Sequence, residues 1–172
     1  MPTASTQIDE LPIPMSSTTP VAGFAELYER HYEAVFRAAL RVTGNPSDAE
    51  DVLQIVFLRV LARGEDDALP AAYLRRAAVN AAVDVLRRRE LHAESVYDDR
   101  APHAAVQPRL LLKERLRRAI AVLDSEDASL FLLRHVEGLT IEELAVMFEI
   151  EKNNVAVRLH RIRRRLQSEL QR

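Results

Sequence analysis

The sequence contains no cysteine. Disulfides and thiolate zinc sites are therefore excluded, and a reducing compartment is no obstacle to the chain. Glycine occurs only four times in 172 residues, and aromatics make up 5%. No segment sustains the period-2 alternation of a strand, while Ala, Leu, Arg and Glu crowd the helical windows, so the expected fold class is all-α. No run reaches the ~18 apolar residues of a membrane span. The N-terminal stretch MPTASTQIDELPIPMSSTTP has neither the basic start nor the apolar middle of a secretory signal. A cytoplasmic protein is expected. Catalytic signatures are missing too. The histidines His31, His92, His103, His135 and His160 show no i, i+4 metal spacing, and there is no Gly-rich phosphate loop or Ser nucleophile elbow. Neither enzyme activity, nor a metal, nor a cofactor is expected.

What the chain does have is segregated charge. Its formal net charge is only −2. Yet the segment VRLHRIRRRL, Val157 to Leu166, holds five arginines, and residues 152–172 carry seven basic groups against Glu169 alone. Residues 23–89 balance ten basic against ten acidic groups, whereas residues 90–108 carry one against four.

Residues 1–22 are rich in Pro, Ser and Thr and too poor in large apolar groups to repay ordering, so a disordered tail is expected. Residues 90–108, with two prolines and no stable period, read as a flexible linker. Two small helical domains are left, 23–89 and 109–172. In the first, one stripe runs Phe24, Leu27, Tyr28, His31, Val35, Ala39 and stops at Gly44. Ser47 and Glu50 have capping-box spacing before a second stripe of Leu53, Val56, Phe57, Val60 and Leu61. A third helix starts near Pro70 and turns Leu74, Ala77, Ala78, Ala81 and Val85 inward. In the second domain Asp124 or Ser125 caps one helix, which stops at Gly138; Thr140 and Glu143 box the start of a short one. A tight turn then leads into a last helix, the spacing of a DNA-binding helix-turn-helix.

On that last helix Val155, Leu159, Ile162 and Leu166 form the inward stripe. Asn153, Val157, His160 and Arg164 then point outward, flanked by Lys152, Asn154, Arg158 and Arg161. Asn can pair with adenine edges, Arg with guanine or phosphate, and Val with a thymine methyl. On the second helix Asp48, Glu50, Asp51 and Gln54 lie beside Ile55 and Leu58, apolar where water is expected; such a rim suits a basic protein partner. The third helix turns Arg76, Asn80, Val83, Asp84 and Arg87 away from its core side, with Arg88 and Arg89 following. A face of that kind can hold single-stranded nucleic acid.

Three segments taken together, FAELYERHYEAVFRAALRVTGNPSDAEDVLQIVFLRV, YLRRAAVNAAVDVLRRR and LRRAIAVLDSEDASLFLLRHVEGLTIEELAVMFEIEKNNVAVRLHRIRRRL, resemble a bacterial RNA polymerase sigma factor. The type is the extracytoplasmic-function one, with regions two and four only. The resemblance implies that Asp48, Asp51 and Gln54, with Glu50, Ile55 and Leu58 around them, grip the clamp of the polymerase's largest subunit. It implies that Arg76, Asn80, Asp84, Arg87 and Arg88, with the loop GEDDALP, melt the −10 element and capture a flipped base. The last helix becomes the −35 reader, the second domain meets the polymerase flap, and promoter DNA and an anti-sigma factor are further partners.

Several positions depart from the family pattern. Ile55 stands where Glu is usual, Asp124 where Pro is, and Ala128 where Arg is. Glu149 occupies a turn position usually held by Gly, Glu151 replaces a small N-cap, and Ala156 and Val157 replace a Lys-Ser pair. Two other classes stay open at this point. A free-standing helix-turn-helix regulator would give Asp48, Asp51 and Asn80 no task. A sigma-like protein-interaction module would have lost DNA reading.

Overall fold

The structure is a computed structural model that describes residues 20–63, 69–95 and 108–171. The N-terminal tail before Pro20, most of the loop GEDDALP, most of the expected linker and His103 lie outside the described residues. Seven helices and no strand occur among the described residues: α1 (Pro20–Thr43), α2 (Pro46–Arg63), α3 (Ala71–Ser95), α4 (Pro108–Ala121), α5 (Ser125–His135), α6 (Ile141–Phe148) and α7 (Lys152–Gln171). Helices α1–α3 form one helical unit and α4–α7 the other.

Local chemistry sets the ends. Helix α1 stops at Gly44, which takes φ +67° and donates its N–H to Leu40 O at 2.8 Å. The cap of α2 is not Ser47, as its spacing to Glu50 suggests, but Asn45. The Asn45 Oδ1 accepts from the N–H of Ser47 at 2.8 Å and of Asp48 at 3.3 Å. Pro46 explains the difference: its fixed φ suits the first helical position and puts Asn45 at the cap. Asp124 caps α5 by accepting from Asp127 N, and Thr140 with Glu143 forms a full capping box on α6. Helix α6 ends on Glu149 at φ 55°, ψ 40°. A non-Gly residue in this left-handed region is strained by about 1–2 kcal/mol, and the turn into α7 requires it.

Helix α3 is the axis of the molecule. It packs on α1 and α2 on one side and on α4 and α5 on the other. Leu74, Ala78, Val79, Ala81, Ala82, Val83, Val85 and Leu86 are all buried. Val83, expected to face outward, is fully buried, because the second unit covers that side of α3. The helix also runs on to Ser95, since RRRELHAES offers helix formers and no breaker. Leu61, expected in the core, is 46% exposed near the end of α2, and Ile55, expected in water, packs half-buried against the core.

Polar contacts join the two units. Arg117 Nε donates to Val42 O at 3.1 Å, its guanidinium filling the space where a Cβ on Gly44 would lie. Arg118 pairs with Glu90 at 3.5 Å, and Arg41 with the buried Glu137 carboxylate at 3.4 Å.

Candidate nucleic-acid interface

Helices α6 and α7 are joined by the turn at Glu149–Glu151, and the inner stripe Val155, Leu159, Ile162 and Leu166 locks α7 onto the core. Lys152, Asn153, Asn154, Val157, His160, Arg161 and Arg164 are exposed on the outer side, with Val157 47% accessible. Lys152 Nζ reaches Glu142 at 3.2 Å across the turn. The outward face read from helical spacing is thus present as one continuous surface of amide, apolar and guanidinium groups.

Arg158 is different. It is half-buried, and its guanidinium donates to Asp127 Oδ1 at 2.7 and 3.0 Å and to Glu126 Oε2 at 3.2 Å. These carboxylates sit in the first turn of α5. Burial works against the Arg158 charge, but the hydrogen bond and the charge of Asp127, then those of Glu126, hold its pKa above the ordinary guanidinium value. For Asp127, burial pushes the carboxyl up; the Arg158 bond opposes this while neighbouring Asp124 adds to it, and the net direction is upward. Burial raises Asp124 as well, but bonds from Asp127 and the charge of Arg158 carry it below the usual carboxylate range. The geometry makes Arg158 a clip between α5 and α7.

His135, at the end of α5, lies against Phe131 with ring centroids 4.5 Å apart and the rings tilted by 47°, and its Nε2 lies 3.5 Å from Arg163 Nη2. Burial, then the positive charges of Arg163 and Arg134, hold its pKa below the ordinary imidazole value. Between its lowered folded value and about 6.5, the unfolded chain binds a proton that the folded chain does not, so stability rises with pH through that window; this contribution is lost as the pH falls through the window and is constant below the folded value. Thermal melts at about pH 7.5 and about pH 5.5 should show a loss at the lower value, and His135→Gln should shrink that loss.

In the first unit, Glu50, Asp51, Gln54 and Leu58 are exposed, with Leu58 at 62%, whereas Asp48 is half-buried and paired with Arg89. A shallow depression beside them is lined by Asp51, Gln54, Ile55, Leu58 and Arg88. Sequence spacing did not find the cleft between α2 and α3. It has a volume of about 280 Å³ and sets Arg59, Arg63 and Tyr73 around Arg76 and Asn80. The available signal was the i, i+4 pair Arg59 and Arg63 on the side of α2 away from its acidic start. A second cavity of about 410 Å³ joins Arg59 to Asp84, Arg87 and Arg88. Asp84 and Arg88 are exposed.

The remaining α3 residues touch the second unit. Arg87 Nε donates to Ala121 O at 3.2 Å, and its terminal nitrogens donate to Leu123 O and Ser125 Oγ. Arg76 donates to Met147 O and lies over the Phe148 ring, 4.3 Å from its centroid. Asn80 Oδ1 accepts from the buried Ser129 hydroxyl.

Comparison with known proteins matches both units. Residues 27–91 match the family model of sigma-70 region 2, and residues 113–166 that of sigma-70 region 4. The RNA polymerase sigma-E factor of Streptomyces avermitilis is 33% identical over 161 residues, covering 88% of this chain and 87% of its own. The ECF RNA polymerase sigma factor SigE of Mycolicibacterium smegmatis is 31% identical over 156 residues, covering 84% of this chain and 60% of its own. Among solved structures, CnrH in complex with the cytosolic domain of CnrY shares the fold, with TM-score 0.51 and 22% identity over 86% of this chain and 87% of that one. With an exposed, Arg-rich second helix in a helix-turn-helix, and region two and region four in order along one chain, the protein belongs to the RNA polymerase sigma factors of the extracytoplasmic-function type, which bind core RNA polymerase and direct promoter recognition for transcription initiation.

Proposed function

We propose that each task of the sigma factor has its own surface. The α2 patch of Asp51, Gln54 and Leu58, with Glu50, Ile55 and Asp48 at its edge, grips the clamp of the polymerase's largest subunit. The α3 face of Arg76, Asn80, Asp84, Arg87 and Arg88 opens and holds the −10 strand, and the outer face of α7 reads the −35 element in duplex DNA. The observation that carries this reading is the continuous exposed face of α7, on the second helix of a helix-turn-helix. The chain supplies binding and melting, and bond formation belongs to the polymerase. Its workplace is the cytoplasm; no helix among the described residues is long and apolar enough to cross a membrane. The polymerase flap on the α4–α7 unit and an anti-sigma protein complete the partners.

The test is run-off transcription with bacterial core polymerase and a pool of promoter DNA from the host. Specific starts sharing two upstream elements are expected. Asp51→Ala removes an exposed carboxylate, so the melting temperature should hold within about a degree while polymerase affinity falls about tenfold or more, as for a central charged contact in an interface. Co-elution of this variant with polymerase at wild-type affinity would remove α2 from the assignment.

A further inference from the structure

The start of α3 and helix α6 enclose a groove that meets the surfaces assigned above only at Arg76. Its volume is about 540 Å³, and its described walls are largely apolar: Pro70, Ala72 and Tyr73 on one side, Leu139, Val146 and Met147 on the other. Val146 is 81% exposed, the highest value for a large apolar side chain among the described residues. A concave apolar surface of this kind is a place where something binds. Arg75 stands in the same wall, and its buried Nε has no hydrogen-bond partner. A buried donor left in that state costs about 1–3 kcal/mol, so an acceptor arriving here is favoured. The carboxylates of the groove are committed elsewhere. Glu142 pairs with Lys152 at 3.2 Å, and Glu143 is held by the N–H and hydroxyl of Thr140. The groove is therefore fitted to a short apolar segment that carries an acid.

We propose that the occupant is the chain's own N-terminal segment 8–15, IDELPIPM: Leu11 and Ile13 lie against the apolar walls, and the carboxylates of Asp9 and Glu10 meet Arg75. Among residues 1–19 this segment holds both acids and every large apolar residue except Met1, and those residues include no base. Its charge and its apolar content thus complement the groove together. The segment also leaves from the right place. Phe24, near the start of α1, meets Phe57 of α2 with ring centroids 6.1 Å apart, and Arg63, at the end of α2, bonds the Tyr73 hydroxyl at the start of α3. The starts of α1 and α3 therefore stand at one end of the molecule. Ile13 lies seven residues before Pro20, a reach of roughly 24 Å at ~3.4 Å per residue. Pro12 and Pro14 restrict the backbone to extended forms, so less freedom is lost on docking. Residues 1–22 are too poor in apolar groups to fold by themselves, but docking asks for order in only one short segment. Tethering supplies an effective concentration on the order of millimolar, so a weak intrinsic affinity suffices.

The sequence contains no tryptophan, so a single introduced one reports on its own surroundings. Leu11→Trp and Ile13→Trp, each in the full-length chain, are compared with Thr3→Trp, which lies outside the proposed segment. Both probes should emit to the blue of the Thr3→Trp control, and acrylamide should quench them several-fold less. Val146→Asp changes an exposed side chain, so far-UV circular dichroism should hold, yet it sets a carboxylate in the groove against Asp9 and Glu10. It should return both probes to the control emission. Arg75→Glu should do the same, and adding Asp9→Lys and Glu10→Lys to Arg75→Glu should restore the blue emission. Control-like emission from both probes in the otherwise unchanged chain overturns the docking. Blue emission that neither Val146→Asp nor Arg75→Glu moves puts the segment elsewhere and overturns the groove as its site. A charge swap that restores nothing, when Val146→Asp has released the probes, overturns the pairing with Arg75. Blue emission lost on dilution through the micromolar range means the groove takes the segment of a second copy, and overturns docking within one chain.

Discussion

Replacing Arg158 with alanine should weaken promoter binding by the assembled polymerase about ten- to a hundredfold, more than replacing Arg164, although Arg164 is the more exposed. A solvent-facing arginine contributes one phosphate or base contact, worth about 1–3 kcal/mol at best. Arg158 does more than occupy the recognition helix. It neutralises Asp127 and Glu126 in the first turn of α5, beside the face that approaches DNA. Its removal leaves two carboxylates without their cation, one half-buried, near incoming phosphates. The same change unclips α7 from α5, a loss of about 1–2 kcal/mol of stability once the exposure of Glu126 is discounted. The two effects separate in a triple variant: adding Glu126→Gln and Asp127→Asn to Arg158→Ala should recover part of the promoter affinity, because the repulsion goes with the charges. If neutralisation recovers nothing, Arg158 acts only as a DNA contact. Measured at two salt concentrations, Arg164→Ala should shift affinity with salt by about one phosphate's worth, whereas Arg158→Ala should shift it by more.

The faces that depend on one helix were legible in the sequence. The period of 3.6 put Val155, Leu159, Ile162 and Leu166 inside α7, and the side-chain chemistry of Thr140, Glu143 and Asp124 fixed the starts of α6 and α5. The faces that depend on a neighbour were not. Helical spacing gave α3 an inner and an outer side, yet α3 is apolar almost all round, from Ala77 through Leu86, and a helix of that kind is buried on both sides. Arg76, Asn80 and Arg87 lie on the side that the second unit covers, a long-range fact that no local pattern carries. Leu61 fell outside the core because it lies near the end of α2, where less packs against it. At α2, proline's preference for the first helical position outweighed the Ser47–Glu50 spacing. Charge counting found the basic helix but could not tell a guanidinium free for DNA from one already paired. Arg161 and Arg158 are three residues apart and differ in just this respect.

The same packing sets the second large effect. Leu133→Ala, in α5, should lower the stability of the whole chain by about 2–5 kcal/mol. Leu133 is fully buried, and truncating such a leucine loses its transfer free energy and leaves a cavity. Its backbone also accepts the Leu139 N–H at 3.0 Å where the chain turns at Gly138, so slack here reaches the helix-turn-helix. In a domain of this size each kcal/mol moves the melting temperature by roughly 2–8 °C. The informative readout is the number of transitions. Because α3 belongs to the core of α1 and α2 and is at once the floor for α4 and α5, loss of packing in α5 exposes Val83 and strips Arg76 and Arg87 of their carbonyl partners. The wild-type chain should melt in one step, and Leu133→Ala should melt first in the α4–α7 unit, leaving α1–α3 to unfold at a higher temperature. In that gap, below the second transition, the α3 face is uncovered while its own fold persists. Single-stranded DNA binding measured there should exceed that of the intact chain, and the gain should vanish in Leu133→Ala carrying Arg76→Ala and Arg87→Ala.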